Sequence, residues 1–163
     1  MIQSTVAELF EKEIKHIDIE VKGWVKSFRA NRFISLSDGS TIKTIQCVVD
    51  FETMDQTLLK QITTGAALQI QGNLVESEGK GQALEIQVSN IAVLGAADPD
   101  LVSKTILQPK RHSLEFLREQ AHLRPRTNTF GAVMRLRSSL SFAIHQYFHQ
   151  NGFNYMHAPI ITG

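Results

Sequence analysis

Residues 19–50, IEVKGWVKSFRANRFISLSDGSTIKTIQCVVD, decide the fold of this 163-residue chain. Ile19, Val21, Gly23 and Val25 alternate with Glu20, Lys22, Trp24 and Lys26, the period of two that marks a strand with one buried face. Residues 32–37 (RFISLS) form a second strand candidate, closed by Asp38-Gly39-Ser40, which is strong turn chemistry. Residues 42–50 (IKTIQCVVD) make a third. Trp24, beside Gly23 in a strongly apolar setting, is expected in the core.

Downstream of this stretch, residues 53–62 (TMDQTLLKQI) place Met54, Leu58, Leu59 and Ile62 at helical spacing, with Gly65 as the terminator. Two more strands follow over residues 67–77 and 82–94, joined by Glu78-Gly79-Lys80-Gly81. Upstream, residues 5–13 read as a short helix, because Thr5 and Glu8 have capping-box spacing and Val6, Leu9 and Phe10 recur at helical intervals. Three strands, a helix and two strands is the order of the all-β OB-fold, a five-stranded Greek-key barrel whose open face and adjoining loops commonly bind oligonucleotides, although strand count and helix placement would also suit a few other small barrels.

Beyond the barrel, residues 96–110 (AADPDLVSKTILQPK) carry Pro99 and Pro109 and no clear period, so they read as a linker. A short amphipathic helix opened by Ser113 spans 113–121. A longer one over 128–150 has Phe130, Val133, Met134, Leu140, Ala143, Ile144, Tyr147 and Phe148 at three- and four-residue steps. Asn151-Gly152 stops it, and residues 153–162 (FNYMHAPIIT) form an apolar strand-like run. The expected division is a barrel domain over 1–97, a linker or hinge over 98–112, and the start of a second domain over 113–163, since a strand with no following partner cannot complete a sheet.

Composition narrows the class. With 42% hydrophobic and 20% charged residues the chain is neither disordered nor fibrous. No segment approaches the roughly 18 apolar residues of a membrane span, and the acidic N-terminus is unlike a signal peptide, so a soluble cytoplasmic chain with no membrane partner is expected. The single cysteine, Cys47, allows no disulfide framework. The net charge of +1 conceals a division: residues 1–103 hold nine Lys/Arg against fourteen Asp/Glu, residues 104–137 hold eight against two, and residues 138–163 hold none of either sign. The basic middle stretch suits nucleic-acid phosphates and ordinary salt bridges equally. An uncharged ending points either to a surface buried in something this chain does not fully contain or to a chain that was cut.

No complete catalytic constellation is present. Gly79-x-Gly81 lacks the third glycine and following helix of a phosphate loop. His145 and His149, at i, i+4 on one helix face, have Gln146 where a zinc protease helix would need a glutamate, and no third ligand lies nearby. No catalytic residue and no metal ligand is therefore assigned. A binding barrel needs aromatic faces for stacking, polar groups for base edges and cations for phosphates. Phe28, Arg29, Arg32, Phe33 and Gln46 are candidates. Phe28 and Phe33 differ in strand parity, so at most one lies on an open face. Gln46 interrupts Ile45 and Cys47-Val48-Val49, where its amide suits a base edge and a solvated face equally. Glu85 reads as a solvent-side glutamate. Close to phosphates, only a base-reading role would justify that carboxylate.

Gly23-Trp24-Val25, Asp38-Gly39-Ser40 and Ile45-Gln46-x-Val48-Val49 resemble the anticodon-binding barrel of class II aminoacyl-tRNA synthetases of the aspartate, asparagine and lysine group. Leu114 to Glu119, His122-Leu123-Arg124-Pro125-Arg126-Thr127-Asn128, and Phe153-x-Tyr155-x-His157-x-Pro159-Ile160-Ile161-Thr162 resemble the asparaginyl-tRNA synthetases, because aspartate enzymes carry an RYLDLR run where this chain has HLRPRT. The resemblance implies that Phe33 stacks on the central anticodon uridine, Gln46 reads that uridine's edge, Arg29 lies beside them, and Glu85 reads the first base, a guanine. It implies that Gly152, Phe153 and Pro159 belong to class II motif 1, which packs against its twin in a homodimer. The implied parent enzyme is an asparagine–tRNA ligase that activates asparagine with ATP and Mg2+ and charges tRNA(Asn). Motifs 2 and 3 are absent from the 163 residues, so this chain by itself is expected to be inactive. A stand-alone RNA-binding barrel, or a synthetase relative that no longer aminoacylates, is the alternative.

Overall fold

A computed structural model describes residues 2–11, 16–50, 52, 54–77, 82–107 and 110–157. Contacts divide the chain into two compact units, residues 1–108 and 109–163.

The first unit is a closed barrel. Its strands are β1 (Ile2–Gln3), β2 (Ile17–Arg29), β3 (Phe33–Ser37), β4 (Ile45–Val48), β5 (Ala67–Glu76) and β6 (Leu84–Gly95). Neighbours run β2-β3-β4-β6-β5, and β5 pairs back to β2, so five strands close on themselves while β1 lies parallel against the outer edge of β2. The β4–β6 pairing is parallel and the other four barrel pairings are antiparallel. This is the Greek-key connectivity expected of an OB-fold. Closure leaves no long edge to recruit another chain.

The alternation read from the sequence determines which side chains fill the interior. Ile19, Val21, Val25, Ile34, Leu36, Ile45, Cys47, Leu68, Ile70, Leu74 and Ile86 are all buried. Burial pushes the Cys47 thiol far above its usual range, so it stays neutral and acts as a small hydrophobe. Each large aliphatic side chain in such a core contributes about 1.5–3 kcal/mol over its exposed state. Two glycines permit the strands to cross. A Cβ on Gly23 would lie 2.8 Å from the Ser37 carbonyl oxygen, and one on Gly72 would run into the Gln87 carbonyl oxygen beside the bulge in β6.

Trp24 corrects the expectation that it is core, being 54% exposed. Parity outweighs its apolar chemistry: Gly23, next to it, takes the inward position, so Trp24 shares the outer face with Lys22. The barrel strands fall where expected, although β4 is shorter than the 42–50 pattern and α2 (Gln56–Gln61) shorter than the 53–62 pattern, while α1 spans Val6–Glu11. The Thr5–Glu8 capping box forms: the Thr5 amide donates to Glu8 Oε2 at 2.8 Å and the Glu8 amide to Thr5 Oγ1 at 3.3 Å.

The stretch read as an irregular linker holds a helix, α3 (Pro99–Thr105), whose N-cap Asp98 accepts from the amides of Asp100 and Leu101. Asp98 followed by Pro99 is itself a helix start. The apolar period was weak because α3 buries no residue.

The second unit contains α4 (Leu114–Glu119), a 3-10 turn over Arg124–Arg126 and the long helix α5 (Asn128–Gln150). The Arg124 guanidinium lies 4.9 Å from the Phe130 ring centroid, and the Thr127 hydroxyl caps α5 by accepting from the Phe130 amide. At the other end Gly152 has φ +81°, its amide donates to the His149 carbonyl and the Phe153 amide to the Phe148 carbonyl. The Phe148 and Phe153 rings meet edge to face at 5.4 Å, which completes a Schellman stop with its hydrophobic contact. Residues 153–157 form no strand, against the strand expected over 153–162, because after the Gly152 stop they pair with no neighbouring strand among the described residues; Pro159, with the rest of 158–163, and the turn at residues 78–81 lie outside the described residues.

Candidate nucleic-acid interface

Register in the barrel carries the sequence-predicted residues onto one surface. In β2, a bulge between Val25 and Ser27 resets parity, so that Phe28 pairs with Ile34 and packs against the core, while Arg29 pairs with Phe33 on the outside. Of the two aromatics, Phe33 is the one on the open face. Two outer rows result. One runs Ser27, Ser35, Gln46, Glu85 and Val75; the other runs Arg29, Phe33, Val48, Gln87 and Asn73. Arg29, Phe33, Gln46 and Glu85, which come from four different strands, therefore lie in two adjacent rows of one face. Gln46 and Glu85 are direct partners in the parallel ladder, so an amide and a carboxylate stand side by side.

The β2–β3 connection sharpens one edge of this face. Ala30 and Asn31 both have positive φ, of 52° and 50°, and the Arg32 amide donates to the Arg29 carbonyl at 3.1 Å. Positive φ at both central residues matches the right-handed twist of a hairpin. The tight turn holds Arg29 and Arg32 near Phe33, and the Arg32 guanidinium lies 5.7 Å from the Phe33 centroid. Cations beside an aromatic face are what a stacked base with its phosphate requires.

Further polar groups, missed in the sequence, support the rows. The Ser35 hydroxyl donates to Thr44 Oγ1 at 2.9 Å. The Ser77 hydroxyl donates to Glu85 Oε2 at 2.9 Å, and Gln82 Nε2 donates to Ser77 Oγ at 3.3 Å. No local pattern marks Ser77 or Gln82, because only the β5–β6 hairpin brings them to Glu85. Where β5 returns to β2 the surface changes sign. Glu20 accepts from Gln69 and Gln71, and Asn73 donates to Asp18. The Gln71 amide, against a desolvation cost, and the Lys22 ammonium hold the Glu20 carboxyl below its ordinary value.

Gly152 and Phe153 lie in the C-terminal stop of α5, in the second unit. His145 meets the edge of the Tyr155 ring at 4.9 Å, and among the described residues no three ligating side chains gather to hold a metal. No helix of the described residues is long and apolar enough to cross a membrane.

A closed OB barrel with an aromatic, cationic and base-edge surface defines a nucleic-acid-binding domain, and residues 19–94 match the family model described as an OB-fold nucleic acid binding domain. The whole chain has relatives as well. It is 50% identical to the asparagine–tRNA ligase of Cytophaga hutchinsonii over 97% of its own length and 34% of the relative's, and 50% identical to that of Bacteroides fragilis over 98% and 34%. Among solved structures, the asparaginyl-tRNA synthetase of Entamoeba histolytica in complex with asparaginyl-adenylate superposes with a TM-score of 0.76 at 25% identity, covering 98% of this chain and 38% of that one. Over nearly its whole length the chain is similar to asparagine–tRNA ligases, and it spans about a third of the length of the curated relatives it matches.

Proposed function

We propose that the outer face of β2, β3, β4 and β6 reads the anticodon of tRNA(Asn). The observation that carries this reading is the register that gathers Arg29, Phe33, Gln46 and Glu85 into two neighbouring rows. Phe33 offers a ring for the central uridine. The Gln46 amide both donates and accepts, as the uracil edge requires, since uracil presents a carbonyl beside an imino N–H. Arg29 answers the phosphate charge. Glu85 can only accept when ionised, and guanine is the base whose Watson–Crick edge offers two adjacent donors, so Glu85 suits the first anticodon position.

The second unit is, in this reading, the start of the class II catalytic domain. The α5 helix and the residues after it, including Gly152, Phe153 and Pro159, form motif 1 and pack against a second copy of the chain. Asparagine activation with ATP and Mg2+, and transfer to tRNA(Asn), belong to the longer protein in the cytoplasm, with no catalytic group supplied by these 163 residues.

Binding of anticodon stem-loops tests the site. Loops with GUU and GCU anticodons differ at the base assigned to Phe33 and Gln46. The wild-type chain should prefer GUU, and Gln46→Ala should weaken GUU binding about tenfold while leaving GCU binding nearly unchanged, the effect of one lost base-edge hydrogen bond. Equal affinity of the two loops for the wild-type chain sinks anticodon reading and leaves a general single-strand binder.

A further inference from the structure

We infer that Ser77 and Gln82 are positioning residues that hold the Glu85 carboxylate in the orientation that selects guanine; this rests on the reading of Glu85 given above. The three side chains form a chain with only one possible polarity. The Gln82 NH₂ can only donate and the Glu85 carboxylate can only accept, so the Ser77 hydroxyl between them accepts from the first at 3.3 Å and donates to the second at 2.9 Å. Backbone geometry places the serine there. Val75 is the ladder partner of Glu85, and Ser77 stands two residues further along, just past the end of β5, at the diagonal position across an antiparallel pair. The Ser77 amide also donates to the Ala83 carbonyl at 3.1 Å, which ties the serine backbone to the chain that leads into Glu85.

A glutamate on an open strand face has three rotatable bonds, and binding a base would have to order all of them. The relay engages Oε2 before RNA arrives, which removes part of that entropy, and a directed chain of hydrogen bonds polarises each member. An ionised carboxylate has about four lone-pair sites, so the Ser77 bond leaves acceptor capacity for the N1–H and 2-amino groups of guanine. The orientation matters more than the charge, because two donors on one base edge must be met together.

The test uses the 163-residue chain and two anticodon stem-loops that differ by one amino group, GUU and its inosine counterpart IUU, with affinities measured by fluorescence anisotropy. The wild type should favour GUU. Ser77→Ala should lower the GUU/IUU preference about three- to tenfold, the effect of one oriented hydrogen bond, and Ser77→Thr should restore it. Gln82→Ala, at the outer end of the relay, should lower the ratio by less, and it decides the question if the thermal melt shows that Ser77→Ala does not fold. A ratio unchanged in both variants, or an equal loss for both loops, overturns the positioning role, provided Glu85→Gln still abolishes the preference. If Glu85→Gln leaves the ratio intact, or the wild type shows no preference, the assignment of Glu85 itself falls, and the relay falls with it.

Discussion

One methyl group is too many at residue 72. A Cβ on Gly72 would enter the Gln87 carbonyl oxygen and press against Ile86 Cγ2. Neither β5 nor β6 can retreat, since each is paired on both sides. Gly72→Ala should therefore destabilise the chain by about 2 kcal/mol or more, read as a lower urea midpoint at unchanged slope. A change within about 0.5 kcal/mol, the ordinary range for a surface substitution, refutes the close approach as the reason for glycine. Parity was legible at this scale: the period of two correctly separates Val21 and Val25 from Lys22 and Lys26. The same period contains the answer for Trp24, whose apolar chemistry argued wrongly against it. For Gln46 and Glu85 the sequence offered two readings of each, because nothing local says that they are ladder partners. Ser77 and Gln82 carried no signal at all.

Helix α1 is attached by groups from a turn remote in the chain. Asp38 accepts from the Val6 amide at 2.8 Å and from the Ser40 amide and hydroxyl, and the Ser40 hydroxyl accepts from the Ala7 amide at 2.9 Å. The turn predicted at Asp38-Gly39-Ser40 thus doubles as a cap that seats Val6 and Leu9 in the core. Burial raises the Asp38 carboxyl, but the hydrogen bonds from Ser40 and Val6 outweigh it and hold the carboxyl below its ordinary value. A depressed carboxyl stabilises the fold fully above its unfolded pKa, about 3.9, and loses that contribution as pH falls through the folded value. Stability of the wild type should fall between about pH 5 and 2 by more than that of Asp38→Asn, measured by urea unfolding at each pH. Parallel curves for the two proteins sink the cap assignment. The caps at Thr5 and Ser113 and the stop at Gly152 were legible because capping is local. Helix α3 was missed because, without a buried face, it has caps but almost no period.

For the molecule as a whole, the feature with the largest consequence is α5. Leu136, Leu140, Phe142 and Tyr147 are all more than half exposed, with Phe142 at 69%, and the 26 residues from position 138 carry no Lys, Arg, Asp or Glu. A surface of that kind in water drives association. Sedimentation of the purified chain should show concentration-dependent self-association, and Leu140→Glu should shift it towards monomer without lowering the melting temperature of the barrel. A wild-type chain that remains monomeric at all concentrations rules out the pairing assigned to motif 1. Taken by itself, the sequence determined the five barrel strands, the parity of most of their side chains, the helix signals at Thr5, Ser113 and Gly152 and the uncharged ending, all of which follow from neighbours within a few residues. Only the tertiary structure decided the bulge that turns Phe28 inward and Arg29 outward, the β5–β2 closure, and the parallel β4–β6 register that sets Gln46 beside Glu85 and Ser77 within reach of it. The physical reason is that ladder register is selected by packing between segments far apart in the chain, where a slip of one residue would send every side chain of the strand to the opposite face.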